Sequence, residues 1–143
     1  MAITQGMATS FKVQLLNGAQ NFSADTFKLA LYTSSASLGE GTTAYTTSGE
    51  VASTGNYTAG GNTLTVNVTP TSSGNVAYVS FANTSWANST ITAAGALIYN
   101  NSQSNAAVCV LNFGGDKTST NGTFAINFPT ADATNAIIRL TAS

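Results

Sequence analysis

Hydrophobic residues recur with a period of two along much of the chain, which is the spacing of strands that bury one face. The clearest case is 26–32, where Phe27, Leu29 and Leu31 alternate with Lys28, Ala30 and Tyr32. The pattern predicts an all-β fold, an antiparallel β-sandwich or barrel of seven or eight short strands. Alternation or a continuous apolar run places the further strands at 63–69, 76–81, 91–99, 106–113, 123–128 and 135–141.

One segment near the start has a helical period instead. Met7, Phe11 and Leu15 are spaced by four residues, and Gly18 follows as a stop, so one short helix is predicted over 6–17. The length fits a single domain. We therefore expect one β-sandwich domain over 1–143, made of an extended arm (1–5), the helix (6–17) and the sandwich (26–141).

Turn-forming residues divide the remaining chain. Pro70 is expected to end its strand, 83–89 to form a loop around Trp86, and Gly114-Gly115 to begin a turn. The small residues at 93–96 imply close approach by another backbone or by a large side chain, for which Trp86 is the candidate. The range 33–62 is almost entirely small and polar, and its isolated Tyr45, Val51 and Tyr57 predict a long loop pinned to the body.

Composition narrows the function. Only nine of 143 residues are charged, there is no His, and Thr, Ser and Asn together account for 54 residues. A soluble domain usually has roughly 25% charged residues. The absence of charge runs argues against nucleic acid or an anionic membrane as a partner. The absence of His, with Cys109 as the one cysteine, excludes Ser-His-Asp and Cys-His catalysis and zinc sites of the usual ligands.

The remaining chemical groups have structural interpretations. The carboxylates are scattered and suit turns and loops, so no cofactor, metal or small-molecule substrate is expected. Cys109 lies in an apolar run and is expected to be a buried structural thiol. Tyr45, Tyr57 and Trp86 fall in predicted loops, where they can contact a partner or pin the loops. The five acids are Asp25, Glu40, Glu50, Asp116 and Asp132.

No basic segment followed by an apolar one opens the chain, and no apolar run approaches the roughly 20 residues that span a bilayer. The sequence therefore predicts a protein made in a cytoplasm, without a signal peptide.

Several segments, spread over about 6–140, form a recognisable set: DTFKLALYTSSA (25–36), YTAGG (57–61), FANTSWANSTITA (81–93), GALIYN (95–100), FGGDK (113–117) and NFPTADATNAIIR (127–139). Together they resemble a family of small virion structural proteins of tailed bacteriophages, common in marine and cyanobacterial phages. Ala94 departs from this pattern, in which an arginine is expected before Gly95. The resemblance implies a particle component that is not an enzyme.

Within that family, the first hypothesis is a capsid decoration (cement) protein on the outer surface of the head, made in the bacterial host cytoplasm. Its expected partners are the major capsid protein and copies of itself in a homotrimer, with Ile3, Tyr45, Tyr57 and Trp86 as partner-contact residues. The alternative is a tail or neck adaptor or a fibre component, including one that binds host-surface glycans. A bacterial carbohydrate-binding module or adhesin is disfavoured by the missing signal peptide.

Overall fold

Eight strands and one helix make up the computed structural model, which describes residues 2–141. About 50% of the chain is strand and 6% is helix, and the strands form two antiparallel sheets. The all-β, sandwich-like prediction is therefore confirmed. The elements are β1 (Gly6–Met7), α1 (Thr9–Leu16), β2 (Phe27–Tyr32), β3 (Asn62–Leu64), β4 (Val66–Ser73), β5 (Val76–Phe81), β6 (Thr84–Asn100), β7 (Ala106–Ile126) and β8 (Ile138–Leu140).

The larger sheet has the strand order β1-β7-β6-β2-β3, and the smaller one has the order β4-β5-β8. Two long neighbouring strands, β6 and β7, form a hairpin that runs through the larger sheet, with Leu97 opposite Val110. On the other side β6 pairs with β2, where Lys28 lies opposite Tyr99. Buried residues of both sheets join one hydrophobic cluster.

Strand β2 is buried on both faces, although its alternation predicts one buried face. Phe27, Leu29 and Leu31 are buried as expected, and Ala30 and Tyr32 on the opposite face are fully buried too. The second face is covered because the segment 33–61 folds back over it. That segment contains no strand or helix, which agrees with the predicted long loop.

The helix is shorter than predicted. It begins at Thr9 because Gly6 and Met7 pair with β7 as a strand, opposite Val110 and Cys109. Phe11 is fully buried, whereas Leu16 is 90% exposed. The four-residue spacing therefore identified the buried face of the helix but not its start.

Pro70 does not end its strand, and β4 continues through it to Ser73. The pairing of β4 with β5 shifts register between Val68 and Thr71, so Pro70 lies in an irregular stretch that needs no ladder donor. Strand β4 is also at the edge of its sheet, where proline is tolerated. A two-residue connection at Gly74 and Asn75 then leads into β5.

The predicted loop at 83–89 and the predicted turn at Gly114-Gly115 are wrong, because residues 84–89 lie inside β6 and both glycines lie inside β7. Trp86 is in β6, opposite Phe124 of β7. Between the pairs Ala93–Lys117 and Gly95–Asn112, β7 has three more residues than β6, and the extra residues form a bulge.

The small residues in the middle of β6 do admit a close neighbour, but it is not Trp86. A Cβ atom added at Gly95 would lie 2.6 Å from the carbonyl oxygen of Leu111 and 2.9 Å from two side-chain carbons of Ile3. The predicted close approach is therefore made by the start of the chain, whose Ile3 pairs with Leu38. Met1 of the predicted arm lies outside the described residues.

Candidate functional site

A half-buried carboxylate lies where the segment 33–61 meets the larger sheet. One oxygen of Glu50 accepts a hydrogen bond from the Tyr45 hydroxyl. The other accepts from the Tyr57 hydroxyl at 3.0 Å and from the backbone N–H of Gly60 at 2.7 Å. We call Glu50 and the four surrounding tyrosines, Tyr32, Tyr45, Tyr57 and Tyr99, the Glu50 cluster.

Strands β2 and β6 supply the fixed side of the Glu50 cluster. The Tyr57 hydroxyl accepts from the backbone N–H of Leu31 at 2.9 Å. The Tyr99 hydroxyl donates to the carbonyl oxygen of Gly60 at 2.7 Å. The Tyr32 hydroxyl donates to the carbonyl oxygen of Thr46 at 2.6 Å. Each tyrosine of the Glu50 cluster thus connects the long segment to the sheet or to Glu50.

The tyrosines of the Glu50 cluster have raised pKa values. Burial, followed by the negative charge of Glu50, raises the pKa of Tyr99 to about 12. Burial is also the largest cause of the rise in pKa at Tyr32, Tyr45 and Tyr57, and Glu50 adds to it at each. The phenols therefore stay protonated at neutral pH and act as hydrogen-bond donors. Both carboxylate oxygens of Glu50 accept hydrogen bonds, and the arrangement fixes the segment 33–61 to the larger sheet.

Two of the predicted partner-contact residues lie inside the molecule. Tyr57 is 2% exposed and Trp86 is 6% exposed, and their rings are 5.7 Å apart. Tyr45 is half-buried and packs on Tyr99. Ile3 is half-buried against Gly95. These positions agree with residues that pin loops and the arm to the body, and partner contact at them stays a prediction.

Two of the other carboxylates accept hydrogen bonds in the folded chain. Asp25 accepts from Asn100 at 2.8 Å in a network of amide side chains. Asp132 accepts from the backbone N–H groups of Thr134 and Asn135, and hydrogen bonds with Asn135 lower its pKa. Within residues 2–141, no three Asp, Glu, Cys or His side chains lie together in a way that could hold a metal ion.

Cys109 is buried, as predicted. Burial raises the pKa of its thiol to about 12. Because the thiolate is the reactive form, this thiol is unreactive in the folded chain at neutral pH.

Two surface depressions add candidate binding chemistry. One, of about 390 Å³, lies along β7 and combines Phe113 and Phe124 with Lys117 and threonine hydroxyls. The other is an apolar groove between α1 and the small sheet, lined by Leu15, Phe22 and Leu140 among others. Neither was predicted, because each depends on residues that the bulge in β7 or the packing of α1 brings together.

Sequence reasoning also missed Glu50, which it placed in a loop without partners. A signal was available, since Glu50 is one of only two charges between residues 29 and 115 and lies close to Tyr45 and Tyr57. Tyr99, which donates to Gly60, is far from Glu50 in sequence, so the spacing of residues could not link the two.

Comparisons of this chain with protein-family models, with curated proteins and with solved structures gave no match. Among residues 2–141, no helix has the length and apolar character required to cross a membrane.

Proposed function

We propose that this protein is a structural component of a tailed-bacteriophage virion, and specifically a capsid decoration (cement) protein on the outside of the head. The observation that carries the proposal is the combination of the phage-like segments with a neutral, hydroxyl-rich surface built on strands. It acts without catalysis, by binding the major capsid protein and copies of itself, in a homotrimer.

The exposed strand faces support this proposal by their chemistry. The last five residues of β4, from Thr69 to Ser73, are all exposed and uncharged. On β7, Asn112 and the residues from Gly114 to Thr118 are exposed, and their only charges are Asp116 and Lys117, which are of opposite sign. Weak self-repulsion allows copies of such a surface to lie close together on a shell.

The Glu50 cluster and the buried aromatic residues support a rigid body. A rigid contact surface loses little conformational entropy on binding. Each copy would add contact area between neighbouring capsid subunits, so that many interfaces must open together before the shell fails. Reinforcement in this proposal comes from the number of copies rather than from one tight contact.

Counting copies tests the proposal. Particles of the phage that encodes this chain are purified, and the protein is quantified against the major capsid protein. Hundreds of copies per particle, together with loss of heat resistance when the protein is stripped and its recovery on adding the protein back, are expected. A handful of copies per particle would contradict a decoration role.

The depression along β7 favours a second candidate, a tail or fibre component that binds host-surface glycans. Aromatic faces beside hydroxyl groups and a cation are suited to sugars. Phe113 lines the depression and is half-buried, so Phe113→Ala should abolish retention on host polysaccharide, whereas Tyr78→Ala on the small sheet should not. No retention of the unmodified protein would leave this candidate without support.

A further inference from the structure

The start of the chain is seated in a notch of the larger sheet. The side chain of Ile3 lies over Gly95, and a side chain at position 95 would collide with Ile3. Ile3 also shares a small cavity with Ser34, Ala94 and Asn112. We call residues 2–5 the arm, and we call the surface that holds them, formed by Ser34, Leu38, Ala94, Gly95 and Asn112, the arm socket.

Four hydrogen bonds hold the arm in the arm socket. Backbone groups of Leu38 accept from Thr4 at 2.8 Å and donate to Ala2 at 3.0 Å. The side-chain amide of Asn112 donates to the carbonyl oxygen of Ile3 at 2.9 Å, and its backbone N–H donates to the Gln5 side chain at 3.1 Å. The arm socket therefore recognises an extended backbone with one aliphatic side chain.

Apart from these hydrogen bonds and Ile3, the arm buries little of its surface. Ala2, Thr4 and Gln5 are exposed, and Ile3 is half-buried. The arm ends where Gly6, paired with Val110, begins β1, so the backbone at exposed Gln5 is the point at which the arm can turn away. The arm can therefore leave the arm socket while β1 stays paired with β7.

We propose that the arm socket of one copy binds the arm of a second copy. The occupant is identified by the structure, because the same four residues fill the arm socket within one chain. In a closed ring of exchanged arms every contact is kept, so the main cost is the entropy of association. Exchange is therefore favoured where copies are concentrated. This inference does not depend on the virion proposal, since the purified protein alone suffices for it.

Sedimentation of the full-length protein over a range of concentrations tests the exchange. Assembly is expected to increase with concentration and to be lost in Ile3→Ala. The matched control is Leu16→Ala, which removes an aliphatic side chain that is 90% exposed elsewhere on the surface and should assemble like the unmodified chain. A monomer at every concentration, or assembly that Ile3→Ala does not reduce, would overturn the proposal.

Disulfide trapping identifies the contact itself. Ala2→Cys and Ser37→Cys are placed in separate chains. The carbonyl oxygen of Ala2 accepts a hydrogen bond from Leu38, the residue after Ser37, and both Ala2 and Ser37 are exposed. Mixing and oxidation should give more of the mixed dimer than random pairing allows. The excess should vanish when Ile3→Ala is added, and it should be absent when Ser37→Cys is replaced by Ser73→Cys on the small sheet.

One chain that contains both Ala2→Cys and Ser37→Cys controls for geometry, because closure within the monomer shows that the pair can form a bond. Closure within the chain combined with a random share of mixed dimers would show that the arm stays in its own arm socket. That result would overturn the proposal.

Discussion

At the scale of single residues, Glu50 joins three points of the segment 33–61 to one another and, through tyrosines, to the larger sheet. Its oxygens accept from Tyr45, Tyr57 and Gly60. Tyr57 in turn accepts from the backbone of β2. A carboxylate is well suited to this position because one group can accept several hydrogen bonds, and charge makes each of them stronger.

Glu50→Ala should lower the free energy of unfolding by about 2–3 kcal/mol, because buried donors at Tyr57 and Gly60 lose their acceptor. Glu40→Ala removes the same charge from an exposed position in the same segment and should change it by about 0.5 kcal/mol or less. Urea denaturation of the two variants measures the difference. Equal losses would show that the Glu50 cluster does not hold the segment.

Alkaline pH should destabilise the fold through the tyrosines. Tyrosine has a pKa of about 10 in an unfolded chain, whereas burial raises the pKa of Tyr99 to about 12 in the folded one. Deprotonation therefore favours the unfolded state, and the stability from Tyr99 is complete below pH 10 and is lost as the pH rises from about 10 to 12.

Urea midpoints measured across this pH range, with tyrosinate absorbance recorded in parallel, check the effect. Tyr57→Phe removes one of the groups with a raised pKa and should make the midpoint fall less steeply with pH. A midpoint that stays constant from pH 9 to pH 12 would contradict the raised values.

At the scale of elements, periodicity predicted strands well where the ladder is regular and poorly where it bulges. Strand β5 was predicted with its observed bounds, and β2 to within one residue. The strand ends predicted at Pro70, near Trp86 and at Gly114 were wrong, because proline, asparagine and glycine also occur inside strands that contain bulges. Sequence alone does not distinguish these uses, since a bulge depends on the partner strand. The Glu50 cluster was missed for a related reason, because contacts across strands bring it together.

Gly61, which precedes β3, and Gly74, which follows β4, distinguish two costs of replacing a glycine beside a strand. Both have positive φ angles, +75° and +59°. A Cβ atom at Gly61 would lie 1.8 Å from the carbonyl oxygen of Leu29, whereas at Gly74 nothing lies within 4 Å. Gly74→Ala should cost about 1 kcal/mol from backbone strain alone. Gly61→Ala should cost about 3 kcal/mol or more, because the segment must also move off β2. Thermal denaturation compares them, and similar losses would contradict this packing.

At the scale of the whole molecule, one hydrophobic cluster connects the helix, both sheets and the long segment. Phe11 of α1, Val79 of β5 and Trp86 of β6 all belong to it. Opening any part of the interior therefore disturbs contacts in several elements. Such a core is expected to unfold as a unit.

Cys109 can report that global opening. Its thiol is buried and its pKa is raised to about 12, so labelling should require unfolding, and the logarithm of its rate should fall in proportion to the free energy of unfolding. An added thiol at exposed Ser34, made by Ser34→Cys, should react promptly under the same conditions. Mass spectrometry after timed exposure to a thiol reagent distinguishes the two sites. Fast labelling of Cys109 in the unmodified chain would indicate local opening of β7.

The long hairpin of β6 and β7 gives the molecule different mechanical strength in different directions. The strands contain 17 and 21 residues, and the ends at Thr84 and Ile126 lie side by side. A force that separates these two ends breaks the ladder one hydrogen bond at a time. A force along the hairpin, from Thr84 to Ala106, follows the backbone of β6, which is already extended, so covalent bonds bear it and the ladder stays intact. The chain should therefore resist stretching along this axis far better than peeling across it.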